Sequence, residues 1–330
     1  MSVRVGVLGA GFIGRVHALN LRRDPRVELV GVADVVPRAA QRLAAEVETA
    51  ALGSLADLLD RGVDAVYVCT PNVQHVEPVV EALRAGVHVF SEKPMATSLR
   101  GAWEIRQAAA QSRGVYQLGF NRRFARVYRF LKGLIADGRL VPLLAQMKHN
   151  RGELAQPPWT GDPAVTGGYL YETPVHLFDM GRFLFGEVAE ISVVARQSVY
   201  NELDGFVMLF RFASGVAASV TSVAHTSWFF PYERVEVYGP HQTAVTEELE
   251  RAWFSPEARG QVEAIDCFQM PFEEKWGYVE EDRRFIDAVL GEAPPAVTAE
   301  DGYRATELVE AVYQAARTGA AVSLPLPQPG

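Results

Sequence analysis

Lysine is scarce in this chain. Only Lys93, Lys132, Lys148 and Lys275 occur among 32 basic residues, so nearly every positive charge is an arginine. Set against 40 acidic residues, these leave a formal net charge of −8. That balance excludes the basic, phosphate-tracking surface of a nucleic-acid binder. Cysteine is scarcer still. Cys69 and Cys267 lie far apart, too few for a disulfide framework, and read as reduced structural thiols. No stretch approaches the ~18 apolar residues of a membrane span. The opening "MSVRVGVLGAG" lacks the long apolar run and small-residue cleavage site of a secretory leader. A cytoplasmic protein without nucleic-acid or membrane partners is therefore expected. Fixed-period repeats and low-complexity segments are also missing.

What is present is ordinary globular composition, 48% apolar and 22% charged, over 330 residues. That length suits two domains, each with its own core. The β-branched run "VRVGVLGAG" ends in glycines, as a parallel strand buried on both faces does, and a helical stretch follows it. The alternation continues through "VELVGVAD", "DAVYVCT", "VHVFSEKP" and "VYQLGFN", with helical segments between, which predicts a doubly wound parallel sheet. After residue 122 the pattern changes. Long alternating segments separated by turns such as "FASGVA" and "YGPHQ" predict a second α/β domain with a mostly antiparallel sheet. The predicted division is 1–122 and 123–330, with a final helix over about 300–318 that could pack back on the first domain.

"GAGFIG" (9–14) is GxGxxG lying between a predicted strand and a predicted helix. Gly9 permits a tight turn, Gly11 lets the backbone approach a pyrophosphate, and Gly14 allows the helix to pack closely on the strand, with Phe12 and Ile13 between them. Asp34 ends the second strand ~20 residues past the last glycine, where a carboxylate accepts hydrogen bonds from the adenosine ribose. It would repel a 2′-phosphate, and Val35 and Val36 offer no compensating charge, so NAD is favoured over NADP. Two further loops fall at carboxyl ends of strands, where a doubly wound sheet binds ligands. The first holds Thr70, Pro71 and Asn72, with His75 one turn on as a structural group or cofactor neighbour. The second holds Glu92 and Lys93 before Pro94. A lysine at a strand end in an arginine-preferring chain suggests a need for a compact amine donor.

The combination of "GAGFIG", "TPN", "EKP" and "GG" followed by an acid and a histidine four residues on closely resembles the glucose-fructose oxidoreductase, inositol dehydrogenase and MocA (Gfo/Idh/MocA) family. The likeness spans essentially the whole chain and includes "GFNRRF" (119–124). It implies a Rossmann domain, a C-terminal α/β domain with a large open sheet that makes dimer or tetramer contacts, a nicotinamide at the cleft between them, and sugar, inositol or polyol substrates. Lys93 corresponds to the family lysine that contacts and positions substrate. His176 corresponds to the acid/base, and Glu172 stands where aspartate is usual.

In "GGYLYETPVHLFD" (167–179), spacing alone would put Glu172, His176 and Asp179 on one helical face as metal ligands. Pro174 removes that reading, because it disfavours helical geometry in the residue before it. The expected helix starts with Thr173 as N-cap and Pro174 at its first position. Glu172 then lies in a loop and His176 in the first turn, where the positive helix end should favour a neutral imidazole. Asp179 is read as either an orienting partner of the histidine or a salt-bridge residue, and no metal site is expected. Asn121, Arg123, Trp159, Tyr169, Tyr171, Asn150 and Arg151 are further candidate substrate contacts. The leading reading is an NAD-dependent dehydrogenase of a sugar or cyclitol. Its alternatives are a reductase of a non-sugar carbonyl or dihydrodiol and a silent NAD-sensing regulator.

Overall fold

The computed structural model describes residues 2–151, 158–227 and 232–329. Gln156 and Pro157, in the loop before Trp159, lie outside the described residues. The chain divides into two units, Met1–Asn121 with Tyr278–Arg304, and Arg122–Gly277 with Ala305–Gly330.

The first unit is built on β1 (Val3–Leu8), β2 (Val27–Ala33), β3 (Ala51–Leu52), β4 (Ala65–Val68), β5 (His88–Glu92) and β6 (Tyr116–Gly119). Their order is β3-β2-β1-β4-β5-β6, and every neighbouring pair is parallel. The order reverses between β1 and β4, so the loops after these two strands flank the point where such sheets bind ligands. Burial on both faces explains the near-continuous apolar strands. Val5, Val7, Tyr67 and Phe90 are fully buried, and the rings of Tyr67 and Phe90 stack 4.6 Å apart. The connecting helices carry the end signals their sequence promised. Pro37 opens Pro37–Glu46, and the Ser98 hydroxyl accepts the Gly101 N–H at 3.1 Å to cap Leu99–Gln111.

The second unit holds β7 (Leu144–His149), β8 (Val188–Arg196), β9 (Gly205–Phe212), β10 (Ala217–Val223), β11 (Glu233–Gly239), β12 (Gln242–Glu247), β13 (Arg251–Ser255), β14 (Glu263–Asp266) and β15 (Val322–Ser323). They form one sheet in the order β14-β13-β12-β11-β7-β10-β9-β8-β15. Among the described pairings only β7 and β10 run parallel; the rest are antiparallel, as expected. Strand β9 shows the two-residue period. Phe206, Met208, Phe210 and Phe212 are buried, while Val207, Leu209 and Arg211 face outward. The helix Val175–Phe185 covers the buried face, with Phe178 5.4 Å from Phe210 and Phe185 5.3 Å from Phe212 between ring centres.

The domain division differs from a single crossing at residue 122. The segment that rejoins the first unit begins at Tyr278, earlier than the last helix. Its helix Tyr278–Val289 puts Phe285 and Ile286 into the same core as Val5, Val7 and Tyr67, and the Phe285 ring meets Tyr67 edge-on at 5.3 Å. An amphipathic helix carries no sequence signal for which sheet it covers. The last helix, Ala299–Thr318, is divided between the units after Arg304.

Candidate active site

The glycine loop is shaped by close approach on two sides and openness on the third. Gly9 has φ +105°, and a Cβ there would lie 2.4 Å from the Cys69 carbonyl oxygen. A Cβ on Gly14 would lie 2.0 Å from the Gly9 carbonyl oxygen, whereas one on Gly11 would meet nothing within 4 Å. Gly9 and Gly14 thus let strand, turn and helix pack together, and Gly11 faces the space a pyrophosphate would occupy. The helix Phe12–Arg23 starts at Gly11 with no side-chain cap and no acid in its first turn, leaving N–H donors for an anion. Phe12 is exposed beside it, and Ile13 packs on the core.

Asp34 closes the loop from below. Its Oδ2 accepts the Ala10 N–H and its Oδ1 accepts the Val36 N–H, both at 2.7 Å. Each carboxylate oxygen retains a second lone-pair direction for a ribose hydroxyl. The neighbouring Val35 and Val36 are exposed and uncharged. Asp34 does not cap the next helix, which begins after Val36.

The loops after β4 and β5 meet at one buried histidine, His75, and a second, His17, meets the end of β5. Asn72 is buried and opens a short 3-10 turn, Asn72–Gln74, while the Thr70 hydroxyl donates to the Gln74 carbonyl at 3.2 Å. His75 is fully buried. Its Nδ1 lies 2.7 Å from the Pro94 carbonyl and its Nε2 2.8 Å from the Thr70 carbonyl, so it joins the "TPN" loop to the "EKP" loop. Burial holds its pKa below the usual histidine value, against the opposing hydrogen bonds to the two carbonyls. Glu92 is also buried, and its Oε2 accepts the Lys93 N–H at 3.0 Å. Its Oε1 lies 3.1 Å from His17 Nε2, and His17 Nδ1 lies 2.6 Å from Asp282, which also accepts from Asn20 at 2.8 Å. Burial opposes a charge on His17, but Asp282 and Glu92 outweigh it and hold the imidazole pKa well above its usual value. One ligand-type atom each from His17, Glu92 and Glu281 fall within 4.8 Å of one another. Both His17 nitrogens are taken up by carboxylates, those of Asp282 and Glu92. Pattern reading missed His17 and Asp282 as site-supporting residues, since 265 positions separate them. Lys93 itself is half-buried.

In the second unit the opening proline acts one residue later than its pattern suggests. Pro174 is the N-cap of Val175–Phe185, with helical φ and ψ of −68° and −17°. Glu172 does not lie in a loop: it ends a four-residue helix, Tyr169–Glu172. Thr173 breaks the two apart with ψ −55° at φ −121°. His176 falls in the first turn, buried, its N–H donating to the Thr173 carbonyl at 3.3 Å. Glu172 is buried, with its Oε1 3.5 Å from Arg151, whose Nη1 also donates to the Thr173 hydroxyl at 3.1 Å. Asp179 makes the salt bridge. It accepts from Arg123 Nε at 2.9 Å and Nη2 at 2.6 Å, with Asp179 buried and Arg123 partly buried in the second unit.

The other candidates separate by surroundings. Tyr169 and Tyr171 are core residues, the first hydrogen-bonded to Ser222 at 2.8 Å and the second donating to Glu310 at 2.6 Å. Arg123 is held by Asp179. Asn121 is buried at the end of the first unit, and the Asn150 N–H donates to the Tyr232 carbonyl at 2.7 Å. Trp159 is 39% exposed on the short turn Pro158–Gly161, the one ring of this set open to a ligand.

A family model described as the oxidoreductase family with an NAD-binding Rossmann fold matches residues 3–120, and its companion, the C-terminal α/β domain, matches residues 132–324. The chain belongs to the Gfo/Idh/MocA family. As a Gfo/Idh/MocA oxidoreductase it uses NAD, and the open Gly11 side and uncapped helix fit that cofactor. It is 30% identical over 331 residues to the inositol 2-dehydrogenase of Rhizobium meliloti, covering 95% of this chain and 97% of that one. It is also 30% identical over 339 residues to the 1,5-anhydro-D-fructose reductase of Ensifer adhaerens, covering 97% and 98%. The crystal structure of GenD2 from gentamicin A biosynthesis, in complex with NAD, superposes with a TM-score of 0.86 at 26% identity, covering 98% and 97%.

Proposed function

We propose that this Gfo/Idh/MocA member oxidises a secondary alcohol of a sugar, inositol or related polyol, with His176 as acid/base and Lys93 as the group that positions the reacting oxygen. NAD, when bound, supplies the hydride acceptor. Gly9, Gly11 and Gly14 hold its pyrophosphate against the helix start, Asp34 its ribose, and the loops of Thr70, Pro71, Asn72 and Glu92 its nicotinamide end. His176 takes the hydroxyl proton. The Lys93 ammonium donates to the same oxygen and stabilises the charge that develops there. Glu172 binds a neighbouring hydroxyl or orients the histidine, with Trp159 offering an aromatic face to the ring.

The observation that carries this reading is the presence of Lys93, Glu172 and His176 in a chain 30% identical over 95% of its length to an inositol 2-dehydrogenase. A panel of inositols, hexoses and nucleotide sugars, scored for NADH production, tests it. Turnover of at least one polyol is expected. Activity confined to non-sugar carbonyls or dihydrodiols, or NADH binding with no turnover of any substrate, would replace it.

A further inference from the structure

Two buried histidines have no place in the proton transfer just described, yet both grip the segment that carries Lys93. We propose that His17 and His75 are positioning residues: acting through the Glu92 carboxylate and the Pro94 carbonyl, they hold the 92–94 backbone from both sides and fix where the Lys93 ammonium is presented. The inference rests on the reading of Lys93 as the group that contacts the reacting oxygen.

The geometry leaves the segment little freedom. A lysine side chain is a point charge on a flexible four-carbon stem, so its position depends on how firmly its backbone is held. Before Lys93, the Glu92 carboxylate bridges His17 Nε2 at 3.1 Å and the Lys93 N–H at 3.0 Å. His17 is in turn anchored by Asp282 at 2.6 Å, itself held by Asn20 at 2.8 Å. Both faces of the imidazole edge meet carboxylates. A neutral ring has one N–H donor, so only the imidazolium satisfies both, and the balance of charges around His17 favours that form. After Lys93, His75 sits between the Pro94 carbonyl, 2.7 Å from Nδ1, and the Thr70 carbonyl of the loop after β4, 2.8 Å from Nε2; the neutral ring donates to one of them and packs against the other. Both rings are wholly buried, so solvent does not compete for these contacts. A third feature keeps the carboxylate in place. Gly119 on β6 leaves room for it, and a Cβ there would lie 3.2 Å from Glu92 Oε1 and 3.1 Å from the Phe90 ring.

The scarcity of lysine makes the test direct. With lysine labelled at its ε-carbon by ¹³C, the NAD-saturated full-length protein has four side-chain signals, and Lys93→Arg assigns the one of interest. His17→Gln and His75→Gln should each shift or broaden the Lys93 signal and leave those of Lys132, Lys148 and Lys275 in place. An unmoved Lys93 signal overturns the proposal, and so does movement of all four together with a lowered Tm, which would mean a general structural role. Should either variant fail to fold, Gly119→Ala, which replaces no histidine, presses on the Phe90 ring and Glu92 Oε1 by a few tenths of an ångström and should move the same signal. Nitrogen spectra of the wild-type histidines give a further check: His17 is expected as imidazolium at neutral pH, and a neutral ring there refutes the clamp. Failure of the underlying reading shows elsewhere. If Lys93→Met retains turnover of myo-inositol or another polyol of the panel, Lys93 is not the oxygen contact, whatever the signals of the histidine variants show.

Discussion

His176 and Asp34 carry the most specific expectations for single side chains. A positioned acid/base contributes about 10² to 10⁴ in rate. His176→Ala should lower kcat by at least the smaller figure and leave the NAD affinity of the first unit almost unchanged, as measured by tryptophan fluorescence quenching. Full activity in that variant would remove His176 from the chemistry. Asp34 holds the Ala10 and Val36 amides, and in the proposed reading it also accepts from the ribose. Hydrogen bonds to a charged group contribute about 1.5 to 3 kcal/mol, so Asp34→Ala should weaken NAD binding by about 10- to 100-fold and narrow the preference over NADP. Titration with both dinucleotides decides it. Spacing singled out Asp34 as a ribose contact, and the family resemblance singled out His176 as the acid/base; the two titrations and the kinetics test those readings. The roles of Tyr169, Tyr171 and Arg123 were not legible in the sequence, because an aromatic or arginine near a site motif looks the same whether it meets a ligand, Ser222, Glu310 or Asp179.

The glycine turn with its helix is the element on which cofactor binding depends. A Cβ on Gly14 would sit 2.0 Å from a backbone oxygen, and backbone, unlike a side-chain tip, has no free rotation with which to yield. Gly14→Ala should therefore force the helix Phe12–Arg23 away from β1, with loss of NAD binding and a lower Tm by calorimetry. An unchanged NAD affinity would contradict the close packing. The helix after Pro174 shows how far local rules reach. Proline places the boundary, and His176 lands in the first turn as expected. The exact cap moves by one residue, and Glu172 joins a short helix, because the preceding glycines Gly167 and Gly168 take φ of +82° and +112° and turn the chain into a helical turn first.

Across the fold, buried charge clusters set the response to pH. Glu233 is fully buried. Burial pushes its pKa up, but Arg122 at 2.8 Å, His149 and the Tyr128 hydroxyl more than reverse that, so the folded value lies below the usual glutamate range. Its contribution is present above the unfolded pKa and disappears as pH falls through the folded one. His17 has the opposite sign. Its stabilisation is complete below the unfolded histidine pKa and is lost as pH rises through its higher folded value. Tm should thus decline on the acidic side below the glutamate range and again on the alkaline side, with the alkaline decline reduced in His17→Gln. A wild-type Tm that stays level from neutral to strongly alkaline pH would refute the second part. Among the described residues no helix is long and apolar enough to cross a membrane. The outward face of the second sheet presents Val194 on β8 directly opposite Val207 on β9, each more than half exposed. A second copy of the chain is the expected cover. Val207→Lys should shift the protein toward monomer in sedimentation velocity, and a wild-type monomer would remove the expectation.

Periodicity and punctuation were enough to class both sheets and to place the nucleotide loop and, to within one residue, the start of the helix that carries His176, because strand character, turns and helix ends depend on neighbours within about 20 residues. Long-range packing was needed for the rest. Tyr278–Val289 joined the first unit because Phe285 and Ile286 fill its core. Asp282 then reached His17, and through Glu92 the backbone of Lys93. No spacing rule links positions 17, 92 and 282. A buried imidazole needs partners on both nitrogens, and the folded chain alone determined which carboxylates met it.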